Sequence, residues 1–84
     1  MPDENSPVQH AMVLRRVDPD QNIARFYILT LERDLFGTVA VFRRWGRMGT
    51  AGREMSQPYP DETKAGEAMA RLAAQKRQRG YREL

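Results

Sequence analysis

Four runs with β-strand character, each bounded by turn residues, precede one pattern of helical period. His10 to Val17 carries Ala-Met-Val-Leu ahead of two arginines and enters the cluster Asp18-Pro19-Asp20-Gln21-Asn22. Such a cluster makes a turn, because Pro fixes φ while Asp and Asn bond their own backbone. In Ile23 to Glu32, Phe26, Ile28 and Thr30 fall on one side and Tyr27, Leu29 and Leu31 on the other. Apolar residues on both sides predict a central strand. Arg33-Asp34-Leu35-Phe36-Gly37 reads as a short polar-then-glycine connection. Thr38 to Trp45 is a third strand, β-branched and aromatic in its first half and basic in its second. Gly46 to Gly52 forms the next loop, with Gly46, Gly49 and Gly52 supplying positive φ. Arg53 to Tyr59 returns as a fourth strand, and Pro58 and Pro60 place its end near a sheet edge.

From Asp61 the period changes. Ala65, Ala68, Met69, Leu72 and Ala73 are spaced as one face of an amphipathic helix. Asp61 serves as its N-cap and Gly80 as its C-terminal stop, with Lys76, Arg77 and Arg79 at the end the helix dipole favours for cations. Tyr81 to Leu84 either adds a short last strand or lies against the sheet. The sum is an α+β fold: an antiparallel sheet of four to five strands with one helix packed on it. Met1 to about Gln9, with two Pro and no apolar period, is expected to be a disordered arm, leaving residues 10–84 as one domain.

Eighty-four residues leave little room for an enclosed catalytic cleft beside a core. No run is apolar enough to span a bilayer, and the acidic first residues are unlike a signal peptide, so a cytoplasmic, membrane-independent protein is expected. With no Cys and one His there is neither a disulfide framework nor a metal-ligand cluster. No cofactor and no small-molecule substrate are expected, and Ser6 and Ser56 have no partner base, so an enzyme is not expected. Charge is uneven. Residues 1–42 hold four basic and six acidic side chains, a net of −2, whereas residues 43–84 hold ten and five, a net of +5. Twelve of the fourteen basic residues are Arg, whose planar fork suits phosphate.

That charge centres on Val41 to Arg53, which contains the only Trp, three of the six Gly and four Arg. Trp45 has two roles open to it: stacking on an exposed base or sugar, or packing at the mouth of the sheet. Arg43, Arg44, Arg47 and Arg53 surround it as candidate phosphate contacts, with strand alternation sending Arg43 and Arg44 to opposite faces. The glycines are conformational. No Gly-Lys-Ser/Thr follows and no G-x-G-x-x-G precedes the helix, so nucleotide binding is unsupported.

The string Arg44-Trp45-Gly46-Arg47-Met48-Gly49-Thr50-Ala51-Gly52 closely resembles the signature of the WGR domain family. The flanks agree: Phe26 to Leu31 resembles its aromatic-aliphatic strand, Ala65 its first-turn helical alanine, and Lys76 with Gly80-Tyr81 its helix end. The resemblance runs from about Met12 to Tyr81 and implies a helix-backed antiparallel sheet. It also implies a role, since such domains in DNA-break-dependent poly(ADP-ribose) polymerases bind nucleic acid near strand ends and relay that to a catalytic domain. Lys76 enters the candidate set through this resemblance. The implied partner is DNA, at ends or nicks, with RNA and poly(ADP-ribose) left open. The alternative is a protein-interaction module whose basic rim docks an acidic protein partner.

Overall fold

The computed structural model describes residues 10–83; the arm expected over 1–9 lies outside the described residues. The elements are β1 (His10–Asp18), a 3₁₀ turn over Pro19–Gln21, β2 (Ile23–Arg33), β3 (Val39–Arg47), β4 (Arg53–Tyr59), α1 (Glu62–Gln78) and β5 (Arg82–Glu83). The five strands form one antiparallel sheet in the order β4-β3-β2-β1-β5, so the chain's last segment does add a strand. This is the α+β architecture that the sequence predicts.

Each boundary has a local cause. Asp18 accepts from the amide of Asp20 across the first turn, and Asn22 closes it with φ of 54°. Asp61 caps α1 by accepting from the amide of Lys64 at 2.8 Å. At the far end, Gly80 takes φ of 95° and the amides of Arg79 and Tyr81 both donate to the carbonyl of Lys76. That arrangement satisfies orphan carbonyls of the last turn.

Alternation divides the sheet into two faces. Leu14, Tyr27, Leu29, Leu31, Val39 and Val41 point to the helix side and are buried there with Ala65, Ala68, Met69, Ala73 and Tyr81. The small residues of α1 let it lie close to the sheet, while Leu72 is half-buried at the margin. Phe26, Ile28, Thr30 and Phe42 occupy the other face, half-buried among their neighbours.

One expectation is corrected. Gly46 does not open the loop; it lies inside β3, paired with Phe26, and is not among the glycines of positive φ. Its requirement is space, because a Cβ there would come within 2.9 Å of the Cα of Gly52. Gly49 and Gly52 do take positive φ, 86° and 76°.

Candidate functional site

Strand register does the first part of the assembly. Arg16 of β1 pairs with Arg25 of β2, and Arg25 pairs with Arg47 of β3. Because opposed residues share a face, three arginines form a row across three strands on the helix side. Like charges directly opposite one another are destabilising, so this row works against the fold. In the adjacent row stand Leu14, Tyr27, Trp45 and Arg53, and in the next Met12, Leu29, Arg43 and Met55. The end of α1 adds Lys76 and Arg79 over the same corner.

An aromatic floor underlies these cations. Tyr27 stacks with Trp45 at 6.1 Å between ring centres, and Tyr81 meets Tyr27 edge-on at 6.3 Å. The Lys76 ammonium lies 4.5 Å from the Tyr27 ring centre and 5.5 Å from that of Tyr81. The Arg43 guanidinium approaches Trp45 at 5.8 Å. Such contacts are electrostatically attractive to the ring faces. Arg16, Arg25, Trp45, Lys76, Arg79 and Tyr81 together line an open cleft of about 290 Å³.

The ion pairs among the described residues are Arg33–Glu62, Lys64–Glu67 and Arg77–Glu83, and none involves the cluster. Partial burial, and after it the charges of Arg79, Arg25 and Arg43, hold Lys76 below the ordinary lysine pKa. The carbonyl end of α1 supplies only a partial negative charge to this corner. The arrangement therefore suits a ligand that brings several negative charges and a flat surface.

The sequence-derived residues divide on inspection. Trp45, Arg43, Arg53 and Lys76 share the helix-side corner. Arg47 shares it too, but its guanidinium donates to the carbonyl and side-chain oxygens of Asn22 at 3.2 Å, clamping the β1–β2 turn. Arg44 is on the opposite face, its Nε donating to the Ala51 carbonyl at 2.7 Å, and so braces the glycine loop from behind. Arg43 also directs a donor at the sulfur of Met55.

Trp45 is half-buried: it packs on Tyr27, lies beside the Arg43 guanidinium and contributes to the lining of the cleft. Gly52 makes this possible, for a Cβ there would overlap the Trp45 carbonyl and reach within 2.8 Å of Phe26. Sequence reasoning missed Arg16 and Arg25 as site residues, and reached Arg79 only as one of a helix-end cluster, Lys76, Arg77, Arg79 and Arg82, open to either phosphate binding or ordinary C-terminal charge. The signal was present for the first two. A hairpin closed by the Asp18 to Ile23 turn places residues whose numbers sum to a constant opposite one another, and Arg16 faces Arg25 as Asp18 faces Ile23.

The WGR domain family model matches residues 10–84, and the chain belongs to that family. A curated relative, "Uncharacterized protein y4dW" of Sinorhizobium fredii (strain NBRC 101917 / NGR234), is 40% identical over 73 residues, covering 87% of this chain and 36% of the relative. The chain thus spans about a third of the relative it matches. No solved structure matches it.

Proposed function

For a WGR domain built this way, we propose non-enzymatic binding of nucleic acid, DNA in the first place and at strand ends or nicks, through the helix-side corner around Trp45. The observation that carries this reading is the row Arg16–Arg25–Arg47 beside Trp45, topped by Lys76, with no ion pair to any of them among the described residues. The family, in poly(ADP-ribose) polymerases, is generally nucleic-acid-binding, which supports the same conclusion. Arg16, Arg25, Arg43, Arg53, Lys76 and Arg79 supply the phosphate contacts. Trp45 offers the part of its ring that lines the cleft to a base or sugar exposed at an end. Arg44 and the main contacts of Arg47 serve the loop and turn that hold Trp45 in place. Stacking tolerates any base and phosphates carry no sequence, so binding is expected to be independent of sequence.

Trp45 is the only Trp and reports on its own site. The test is a fluorescence titration with a blunt-ended duplex and with a closed circle of matched sequence, at low and moderate salt. Quenching by the ended duplex and not by the circle is the expected result. If about four phosphates are neutralised, log K should fall with log salt at a slope of roughly −3.6. Equal binding to both without a Trp45 signal would reduce the site to a general basic surface. Binding to neither would leave the acidic protein partner as the reading to pursue.

A further inference from the structure

At the opposite end of the β2–β3 hairpin stand two features that nucleic-acid binding leaves unused. The first is the connection itself. Asp34 closes it with four hydrogen bonds: its carboxylate accepts from the amides of Phe36 and Thr38 at 2.9 Å, its amide donates to the Thr38 carbonyl, and its carbonyl accepts from Gly37. Leu35 and Phe36 project from this closed turn and are 100% and 93% exposed. The other exposed large apolar residues of the described chain reach at most 54%. Scattered exposed apolar residues need no explanation, but two adjacent ones on a turn held by four hydrogen bonds make an apolar point.

The second feature is an apolar depression of about 220 Å³ lined by Met12, Leu31, Gly66 and Met69. A cavity of about 150 Å³ accepts a benzene molecule, so this volume accommodates a phenyl ring. Gly66 keeps it open, because a Cβ there would meet nothing within 4 Å. The depression and the point lie at one end of the molecule: Leu31 is two residues before the end of β2, and Glu62, which starts α1, pairs with Arg33.

We propose that two copies of the chain associate through this end, each placing Phe36 in the other's depression between Met12, Leu31, Gly66 and Met69. Because point and depression share an end, one twofold axis satisfies both insertions and closes the assembly. Charge selects the same arrangement. The corner around Lys76 lies eight residues back along β2 from Arg33, at Arg25, roughly 27 Å away at 3.4 Å per residue. Pairing at the hairpin end keeps the two cationic corners far apart. At this end Arg33 is matched by Glu62 and Lys64 by Glu67, and the remaining carboxylates, Glu32, Asp34 and Asp61, are fewer than the cations of the other corner, so less repulsion opposes contact here. Two ring insertions make a small interface, which sets the expected Kd in the micromolar range, on the order of 10–100 µM. The inference is independent of the nucleic-acid reading; where both hold, one dimer presents two binding corners facing away from each other.

The experiment is sedimentation of the full chain from about 1 to about 500 µM, without nucleic acid, for the native sequence and two variants. Phe36→Asp removes the point and Gly66→Leu fills the depression. Both residues lack close neighbours that a new side chain would disturb, and thermal unfolding of each variant is the folding control. The native chain should form dimers, and each variant alone should associate at least about thirtyfold more weakly. Mixing the variants restores one insertion, so the mixture should associate more tightly than either variant by itself. A native chain that stays monomeric throughout overturns the proposal. So does a dimer that both variants preserve, or a mixture no tighter than its components, since either outcome gives the surface another occupant.

Discussion

The two ends of the β2–β3 hairpin are built on opposite terms. At the Asp34 end four hydrogen bonds to one residue close the turn, and the cost falls on exposure of Leu35 and Phe36. At the Arg25 end the apolar groups are well packed, Tyr27 against Trp45 and Tyr81, and the cost falls on cations crowded together with no ion-pair partner among the described residues. Neither feature helps the isolated chain to fold. Exposed side chains are nearly neutral toward folding, whereas opposed like charges oppose it. The difference indicates which end carries a function that folding alone would remove, and substitution can measure it.

The largest expected effect comes from reversing the centre of the arginine row. Arg25→Glu places a carboxylate between Arg16 and Arg47, so the free protein should become more stable while DNA affinity falls roughly 100-fold at low salt. Arg44→Glu changes the same charge on the other face of the sheet, with its bond to the Ala51 carbonyl lost. Its affinity should change by about threefold at most, through screened long-range attraction. Binding curves beside urea unfolding curves separate the two variants. Equal losses of affinity would mean that DNA does not choose the helix-side corner, and the contrast between cationic corner and rest of surface would collapse.

Glycine sharpens the comparison of the ends themselves. Gly37 at the Asp34 turn has φ of 82°, and a Cβ added there would meet nothing within 4 Å. Gly37→Ala therefore bears only the backbone penalty, about 1 kcal/mol. Gly52 has φ of 76°, and a Cβ there also meets the Trp45 carbonyl and the Phe26 ring. Gly52→Ala should therefore cost about 3 kcal/mol. At about 4–8 °C per kcal/mol for a domain of this size, thermal unfolding resolves the difference readily. Similar losses at both positions would show that the close approach behind Trp45 relaxes freely.

Much of the fold is legible in the sequence because the chain is heavily punctuated. Pro19, Asn22, Asp61 and Gly80 each force a local conformation, so strands and helix end within a residue or two of where those residues demand. Alternation sets Tyr27, Leu29 and Leu31 together on one face, and that face is the buried one. The site is only partly legible. Trp45 and its adjacent arginines are conspicuous in sequence, but a charged corner is a property of register, and Arg16 and Arg25 acquire their meaning only when β1 and β2 are laid together. Gly46 escapes sequence reasoning for a related reason: close approach to Gly52 is a contact across the hairpin and leaves no mark in local sequence. Leu35 and Phe36 are equally opaque, since apolar residues in a connection normally fold back onto a core, and nothing in their order says that Asp34 will hold them outward.

The smallest effect tests whether the crowding is felt in solution. Lys76 is held below the ordinary lysine range by burial and by Arg79, Arg25 and Arg43. Its unfolded pKa is then the higher of the two, so as pH rises through the folded value the native state releases its proton first. In that alkaline window the unfolded chain binds more protons, and stability rises with pH. Below the window both states are protonated and the penalty of the buried, crowded ammonium is present in full. Lys76→Gln abolishes the linkage while keeping a polar side chain over Tyr27. The difference in unfolding free energy, native minus variant, should therefore climb by some tenths of a kcal/mol from neutral pH to just below the ordinary lysine pKa. A flat difference would mean that the ammonium is as well accommodated by its two aromatic neighbours as by water, and the Arg25 end would then be no more strained than the Asp34 end.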